Sequence, residues 1–297
     1  MTVSRFCCFS ATLLMLMGSA AAQNQQKNVV YAEAHGAALV MDIFTPTGDR
    51  NGLAIIDVIS GGWSSDRGKI RDHALTRVFK TMCDRGYTVF AIRPGSASRF
   101  TIPDMVKHME LGIRWVKDHA EEYEIDPTRL GLMGASAGGH LASMVAVTNG
   151  SSDTNPGNDQ ASVKAVAVFF PPTDMVHFLE QAGSKRVADR VRTIAYSIAL
   201  REGKVVAPEE IDVKKVLTSI SPARLVTEKA PPFLLIHGTA DELVPQEQSE
   251  ILLAALKEKG VPAELILKEG GGHPWPTIHE EVAVFADYFD EHLGNQP

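Results

Sequence analysis

Cysteine is scarce in this chain, which has three cysteines in 297 residues. Cys7 and Cys8 lie in an apolar stretch at the start, which we expect to be removed, and Cys83 would then stand alone. A single cysteine cannot form an intramolecular disulfide. The sequence therefore excludes a small fold held together by disulfides and requires a large hydrophobic core instead.

Other patterns are missing as well. The ten histidines include no H-E-x-x-H or comparable metal-ligand spacing. Lysine and arginine form no cluster and the formal net charge is −7, which argues against a nucleic-acid partner. After the first apolar stretch, no run reaches transmembrane length, so we expect no stable membrane insertion.

The first 22 residues have the pattern of a secretory signal. Arg5 forms a short basic region, Phe6–Met17 is apolar, and the stretch ends in an A-x-A at Ala22. We expect cleavage after Ala22 and a secreted or periplasmic protein, with an uncleaved membrane anchor as the alternative. The remaining residues, 23–297, have the size of one large domain.

Apolar runs alternate with helical periodicity along this domain, which predicts an α/β fold with a mostly parallel sheet and helices on both faces. The predicted strands are Val29–Glu33, Leu39–Phe44, Leu53–Ile59, Tyr87–Ile92, Leu130–Met133, Val163–Phe170, Phe233–Gly238 and Ala263–Lys268. The predicted helices are His73–Arg85, Met105–Tyr123, Gly139–Val147, Gln246–Lys259 and Glu280–His292. Residues 174–221 are helical in pattern and too long for a simple crossover, so they form either a helical cap or a surface excursion.

Gly134-Ala135-Ser136-Ala137-Gly138 is a G-x-S-x-G between a predicted strand and a predicted helix. Such a tight turn holds a serine in a strained conformation that only small neighbours tolerate. Ser136 is therefore the candidate nucleophile, against the alternative of an ordinary glycine-rich turn.

A carboxylate follows the next-to-last predicted strand at Asp241. In open parallel sheets, functional residues lie beyond the carboxyl ends of the strands. Asp241 is therefore the candidate acid of a catalytic triad, with Glu242 and Asp174 as alternatives.

The candidate base is His273, which follows the last predicted strand and a run of three glycines. It would take the proton from Ser136 and return it to the leaving group. His279 and His237 are alternatives, although His237 lies within an apolar strand and fits better as a hydrogen-bonded core residue.

An oxyanion intermediate needs at least two preorganised N–H donors. Ala137, whose N–H is among the first amides after the turn at Ser136, can supply one. Gly61, Gly62 and Trp63, at the end of the third predicted strand, are placed to supply the others. The Trp63 side chain would either line an acyl pocket or cover the loop.

With these residues in place, the chain resembles the α/β-hydrolase fold, and within it the esterases related to hormone-sensitive lipase and the BD-FAE carboxylesterases. The matching stretches are Ser60–Trp63, Asp126–Arg129, Gly134–Ala142, Ser221-Pro222, His237–Pro245 and Gly272-His273. Where such esterases usually carry His-Gly-Gly-Gly, this chain has Ser60-Gly61-Gly62, so the usual histidine that supports the oxyanion loop is missing.

The resemblance implies hydrolysis of carboxylic esters without a metal or organic cofactor. It also implies a small-molecule or polysaccharide ester as substrate, such as an acetylated or feruloylated sugar. A serine peptidase of the prolyl-oligopeptidase type is an alternative, because similar sequence occurs around Asp241 and His273 there. A binding protein on a degraded hydrolase fold is another, although such proteins usually lose a triad member.

Overall fold

The structure, a computed structural model, describes residues 23–149, 161–201 and 210–294. The predicted signal peptide, residues 1–22, lies outside the described residues, as do residues 202–209 of the predicted insertion. Within the predicted domain, residues 23–297, the structure describes every residue except 150–160, 202–209 and 295–297.

The described strands form one eight-stranded sheet with the order β1-β2-β4-β3-β5-β6-β7-β8. The strands are β1 (Gln23–Ala34), β2 (Ala37–Pro46), β3 (Ala54–Val58), β4 (Thr88–Ile92), β5 (Leu130–Ala135), β6 (Ala165–Phe169), β7 (Phe233–Gly238) and β8 (Ala263–Lys268). β1 and β2 form an antiparallel hairpin, and β2 pairs antiparallel with β4. All other pairs are parallel. The predicted mostly parallel sheet with an opening hairpin is therefore confirmed.

Helices cover both faces of this sheet. They are α1 (Arg67–Leu75), α2 (Val78–Asp84), α3 (Ile102–Asp118), α4 (Ala137–Asn149), α5 (Met175–Glu180), α6 (Lys185–Arg201), α7 (Val213–Ser219), α8 (Glu247–Glu258) and α9 (Ile278–Leu293). Helices α3, α4 and α8 pack on one face, and α1, α2 and α9 on the other. Every residue of β3, β4 and β6 is buried, because strands covered on both faces need continuous apolar runs.

Three helices, α5 to α7, occupy the described part of the predicted insertion. Phe178 of α5 and Val187 and Val191 of α6 line a cavity that also contains Ser136. The described part of the insertion therefore lies over the carboxyl ends of the parallel strands, where a cap would lie.

Cys83, the one cysteine among the described residues, lies on α2 and is buried. Burial raises the pKa of its thiol to about 12. At neutral pH the side chain is therefore a protonated, unreactive part of the core.

The single helix predicted for His73–Arg85 is wrong, because the segment forms α1 and α2 with a break between them. Asp66 begins α1 by accepting from the backbone N–H of Lys69. The pattern counted Leu75 as a core residue, yet it is 74% exposed, whereas Val78 and Phe79 are buried. The break turns the apolar face of α2 toward the sheet independently of α1.

Arg77 makes this break by adopting a left-handed conformation, with φ of 62°. Replacing Arg77 with glycine should raise the free energy of unfolding by about 1 kcal/mol, because glycine has no Cβ to oppose this conformation. Urea denaturation measures the change.

A matched control is Arg71→Gly, since Arg71 is also exposed but lies inside α1. This control should lower the free energy of unfolding by about 1 kcal/mol. The same sign for both variants would contradict the assignment of the break.

Candidate active site

Ser136 is the single residue between β5 and α4, and its backbone is left-handed, with φ of 54°. A Cβ at Gly134 would lie 2.5 Å from the carbonyl oxygen of Gly138, and a Cβ at Gly138 would lie 2.5 Å from the carbonyl oxygen of Val58. These contacts exclude any larger residue at either position. The two glycines of the motif therefore allow the sharp turn that exposes Ser136.

Three predicted residues meet at the carboxyl ends of β5, β7 and β8. The Oγ atom of Ser136 lies 2.8 Å from Nε2 of His273. The other ring nitrogen of His273, Nδ1, lies 2.6 Å from Oδ2 of Asp241. This continuous chain of hydrogen bonds lets an imidazole take the proton from the serine hydroxyl while the carboxylate stabilises the resulting cation.

The loop after β7 orients the Asp241 carboxylate. Oδ1 accepts hydrogen bonds from the backbone N–H groups of Leu243 and Val244, each at 2.9 Å, which leaves Oδ2 for His273. Burial opposes ionisation of Asp241, but hydrogen bonds from the imidazoles of His237 and His273 outweigh it and lower the pKa. The carboxylate is therefore charged at neutral pH.

The alternative acids have other surroundings. Asp174 accepts hydrogen bonds from the first N–H groups of α5 and forms an ion pair with Arg224. Glu242 is exposed. Neither side chain has a hydrogen bond to a histidine ring in the described part of the chain.

His237 is buried in β7, as its apolar setting predicts. Its Nε2 atom donates to the carbonyl oxygen of Val244 at 2.8 Å, and Nδ1 lies 2.7 Å from Oγ of Ser249. Nε2 is also 3.5 Å from Oδ2 of Asp241. His237 thus supports the loop that carries the carboxylate, while His279 lies at the start of α9, outside the hydrogen-bond chain.

The predicted oxyanion donors differ in availability. The N–H of Gly61, one of the predicted donors, donates to the carbonyl oxygen of Ser64 at 2.9 Å and is therefore used inside the loop. The N–H groups of Gly62, Trp63 and Ala137 have no hydrogen-bond partner among the described residues. Gly62 and Trp63 both have positive φ, at 53° and 56°. The loop is therefore held in a strained conformation with free donors beside Ser136.

A buried hydrogen-bond chain supports this loop in place of the missing histidine. Nε1 of Trp63 donates to Nδ1 of His140 at 3.2 Å, and Nε2 of His140 donates to the carbonyl oxygen of Ile220 at 2.8 Å. Burial lowers the pKa of His140 to about 4, so the ring is neutral and Nδ1 is free to accept. The sequence motif contains His140 but gave no signal for this role.

Two cavities meet at Ser136. One, of about 290 Å³, also contains His273 and has mostly apolar walls that include Met133, Phe169 and Val282. The other, of about 470 Å³, lies under α5 and α6 and contains the Trp63 side chain. This arrangement fits a substrate in which a carbonyl carbon joins two groups, with one group in each cavity.

The described residues contain no group of three or more His, Cys, Asp or Glu side chains arranged to hold a metal ion. Among the same residues, no helix has both the length and the apolar character needed to cross a membrane.

The chain from Trp63 to His140 gives a test by matched substitutions. Trp63→Phe should lower the free energy of unfolding by about 1–3 kcal/mol, because it leaves the buried Nδ1 of His140 without a donor. Trp115→Phe is the control, since the indole N–H of Trp115 has no hydrogen-bond partner among the described residues. Equal losses in chemical denaturation would contradict the role of the Trp63 hydrogen bond.

The lowered pKa of Asp241 predicts a pH dependence of stability. Its ionisation stabilises the fold above the ordinary carboxyl pKa of about 3.9, and this contribution is lost as the pH falls below that value. Between about pH 5 and pH 2, the unfolding free energy of Asp241→Asn should therefore fall less than that of the native protein, by on the order of 2 kcal/mol. Urea denaturation at several pH values over this range measures the unfolding free energy. Glu242→Gln is the control, and an unchanged slope in Asp241→Asn would refute the prediction.

Solved structures share this architecture. A truncated form of a carbohydrate esterase from gut microbiota superposes with a TM-score of 0.76 at 24% identity, over 94% of this chain and 99% of the other. A bifunctional GH43-CE protein of Bacteroides eggerthii gives a TM-score of 0.72 at 24% identity, over 91% of this chain and 38% of its own. These similarities confirm the predicted α/β-hydrolase fold.

Sequence relatives agree with the fold. The chain is 28% identical over 289 residues to a probable carboxylic ester hydrolase, LipM, of Mycobacterium tuberculosis, which covers 91% of this chain. It spans 63% of the length of that relative. The BD-FAE family model matches residues 41–256. This match extends from β2 to α8 and takes in Ser136 and Asp241, and because it covers well over half of the chain, the protein belongs to the BD-FAE family.

Proposed function

We propose that this protein is a carboxylic ester hydrolase that uses Ser136 as its nucleophile and forms an acyl-enzyme. The observation that carries the proposal is the hydrogen-bond chain from Ser136 through His273 to the buried Asp241. The relative named as a probable carboxylic ester hydrolase supports the reaction class.

In the first half-reaction, Nε2 of His273 accepts the Ser136 proton as Oγ attacks the acyl carbon. The N–H groups of Ala137, Gly62 and Trp63 stabilise the negative charge that develops on the carbonyl oxygen. The intermediate collapses when the alcohol leaves, taking the proton from His273. Water then repeats the sequence on the acyl-enzyme, and the carboxylic acid is released.

The proposed substrates are acetyl, other short-chain or feruloyl esters of small alcohols or carbohydrates. The structural neighbour described as a carbohydrate esterase supports this class. The composition of residues 1–22 further supports export from the cytoplasm. An exported enzyme would meet polysaccharide esters outside the cell.

Hydrolysis of p-nitrophenyl acetate compared with an aminoacyl-proline anilide tests the reaction class. We expect release of p-nitrophenol and no measurable release of the aniline. Rapid cleavage of the anilide alone would replace the esterase proposal with a peptidase, and cleavage of neither would favour a binding protein.

Two substitutions at Ser136 separate chemistry from backbone strain. Ser136→Ala and Ser136→Gly should both lower kcat for p-nitrophenyl acetate by about 10⁴ or more, because both remove Oγ. Ser136→Gly should also be about 1 kcal/mol more stable than Ser136→Ala, since glycine tolerates the left-handed conformation. Turnover retained in either variant would refute the nucleophile, and equal thermal stability would refute the strain.

A further inference from the structure

One wall of the cavity that contains His273 carries polar groups with no part in the proposed reaction. His73 of α1 lines this cavity, together with Ser60 at the end of β3. Nδ1 of His73 lies 2.7 Å from Oδ2 of Asp57, whose side chain is fully buried in β3. Asp57 pairs with Met133 on β5, and Met133 also lines the cavity.

Several hydrogen-bonding atoms in this wall, or directly behind it at Asp57, have no partner among the described residues. Oδ1 of Asp57 and Oγ of Ser60 are both buried and unpaired. Nε2 of His73 also has none, since its hydrogen bond to Asp57 uses Nδ1. Buried polar groups are rarely left unsatisfied in folded proteins, and such exceptions need an explanation. A cluster of them at a cavity wall is typical of a binding site for a polar ligand.

The reaction geometry indicates which part of an ester reaches this wall. The leaving oxygen must take its proton from Nε2 of His273, so the alcohol group lies on the His273 side of the acyl carbon. His273 lines the smaller cavity and does not line the cavity under α5 and α6. The smaller cavity therefore takes the alcohol, and the cavity under the insertion takes the acyl group.

We propose that His73, held by Asp57, and Ser60 form a subsite that binds a hydroxyl group on the alcohol portion of the ester. The inference rests on the proposed function, because it assigns the two cavities by the path of the proton. A hydroxyl group both donates and accepts, so it can pair with Nε2 of His73 in either protonation state and with Oγ of Ser60.

The other charges along this wall favour a neutral ligand. Lys69 forms an ion pair with Asp72 at 2.9 Å, so its charge is already compensated. His73 is likewise paired with Asp57 at 2.7 Å, so a carboxylate ligand would meet no uncompensated positive charge at Lys69 or His73. An apolar alcohol would leave the buried polar atoms unpaired. A polyol such as a sugar fits the wall best.

The test compares two substrates that differ only in hydroxyl groups. One is a methyl xyloside acetylated at a single position, with its other two hydroxyls free. The second is the same ester with those hydroxyls replaced by hydrogen, which adds no bulk. We expect the native enzyme to have a kcat/KM about tenfold or more higher for the hydroxylated ester. A factor of this size corresponds to the free energy of one good hydrogen bond. His73→Leu should reduce this ratio about tenfold.

Ser60→Ala is a second variant, which removes one unpaired atom with little change in volume and should also reduce the ratio. His279→Leu is the matched control, because His279 lies near the cavity but does not line it. This control should keep the native ratio. Thermal unfolding establishes that each variant is folded.

The outcomes separate the two proposals. An equal kcat/KM for both sugar esters in the native enzyme overturns the subsite, as does a native ratio in both His73→Leu and Ser60→Ala. Hydrolysis of p-nitrophenyl acetate without hydrolysis of either sugar ester also overturns it, while the esterase proposal survives. Failure to hydrolyse any ester, with no covalent labelling of Ser136 by a phosphonate, overturns the proposed function itself.

Discussion

The hydrogen bond between the Asp241 carboxylate and the His273 imidazole is the interaction on which the site depends. It joins the loops that follow β7 and β8, two strands paired in register along their whole length. At the last residue of β7, a Cβ at Gly238 would lie 2.2 Å from the carbonyl oxygen of Gly271, so the two loops can meet only through glycine. The register of the sheet and this backbone contact therefore set the distance between acid and base.

Hydrogen-bond partners orient the rings of four histidines at this end of the sheet. His140 and His237 each donate from Nε2 to a backbone carbonyl, which leaves Nδ1 as an acceptor. His273 and His73 have the opposite arrangement, with Nδ1 toward a carboxylate. In His273 this leaves Nε2 facing the serine hydroxyl, and in His73 it leaves Nε2 without a described partner. The same residue type thus supports loops in two places and presents a ring nitrogen for use in two others.

The residues that meet in the site could be predicted where local sequence fixes their position. Asp241 follows an apolar strand, and strand ends in a parallel sheet share one edge. The break at Arg77 could not be predicted, because Leu75 satisfies the helical pattern although it faces solvent. The use of the Gly61 N–H and the contacts of His140 depend on residues brought together only by folding, so no local pattern encodes them.

The oxyanion loop is attached to the inserted helices at two points. Arg190 of α6 donates to the carbonyl oxygen of Gly62, and the chain from Trp63 through His140 ends on Ile220, immediately after α7. Mutations that remodel the insertion would therefore also shift the backbone N–H groups of Gly62 and Trp63, which we propose stabilise the oxyanion. Changes of specificity in this lineage would have to evolve together with changes in catalytic power, which limits how freely the insertion can be exchanged between relatives.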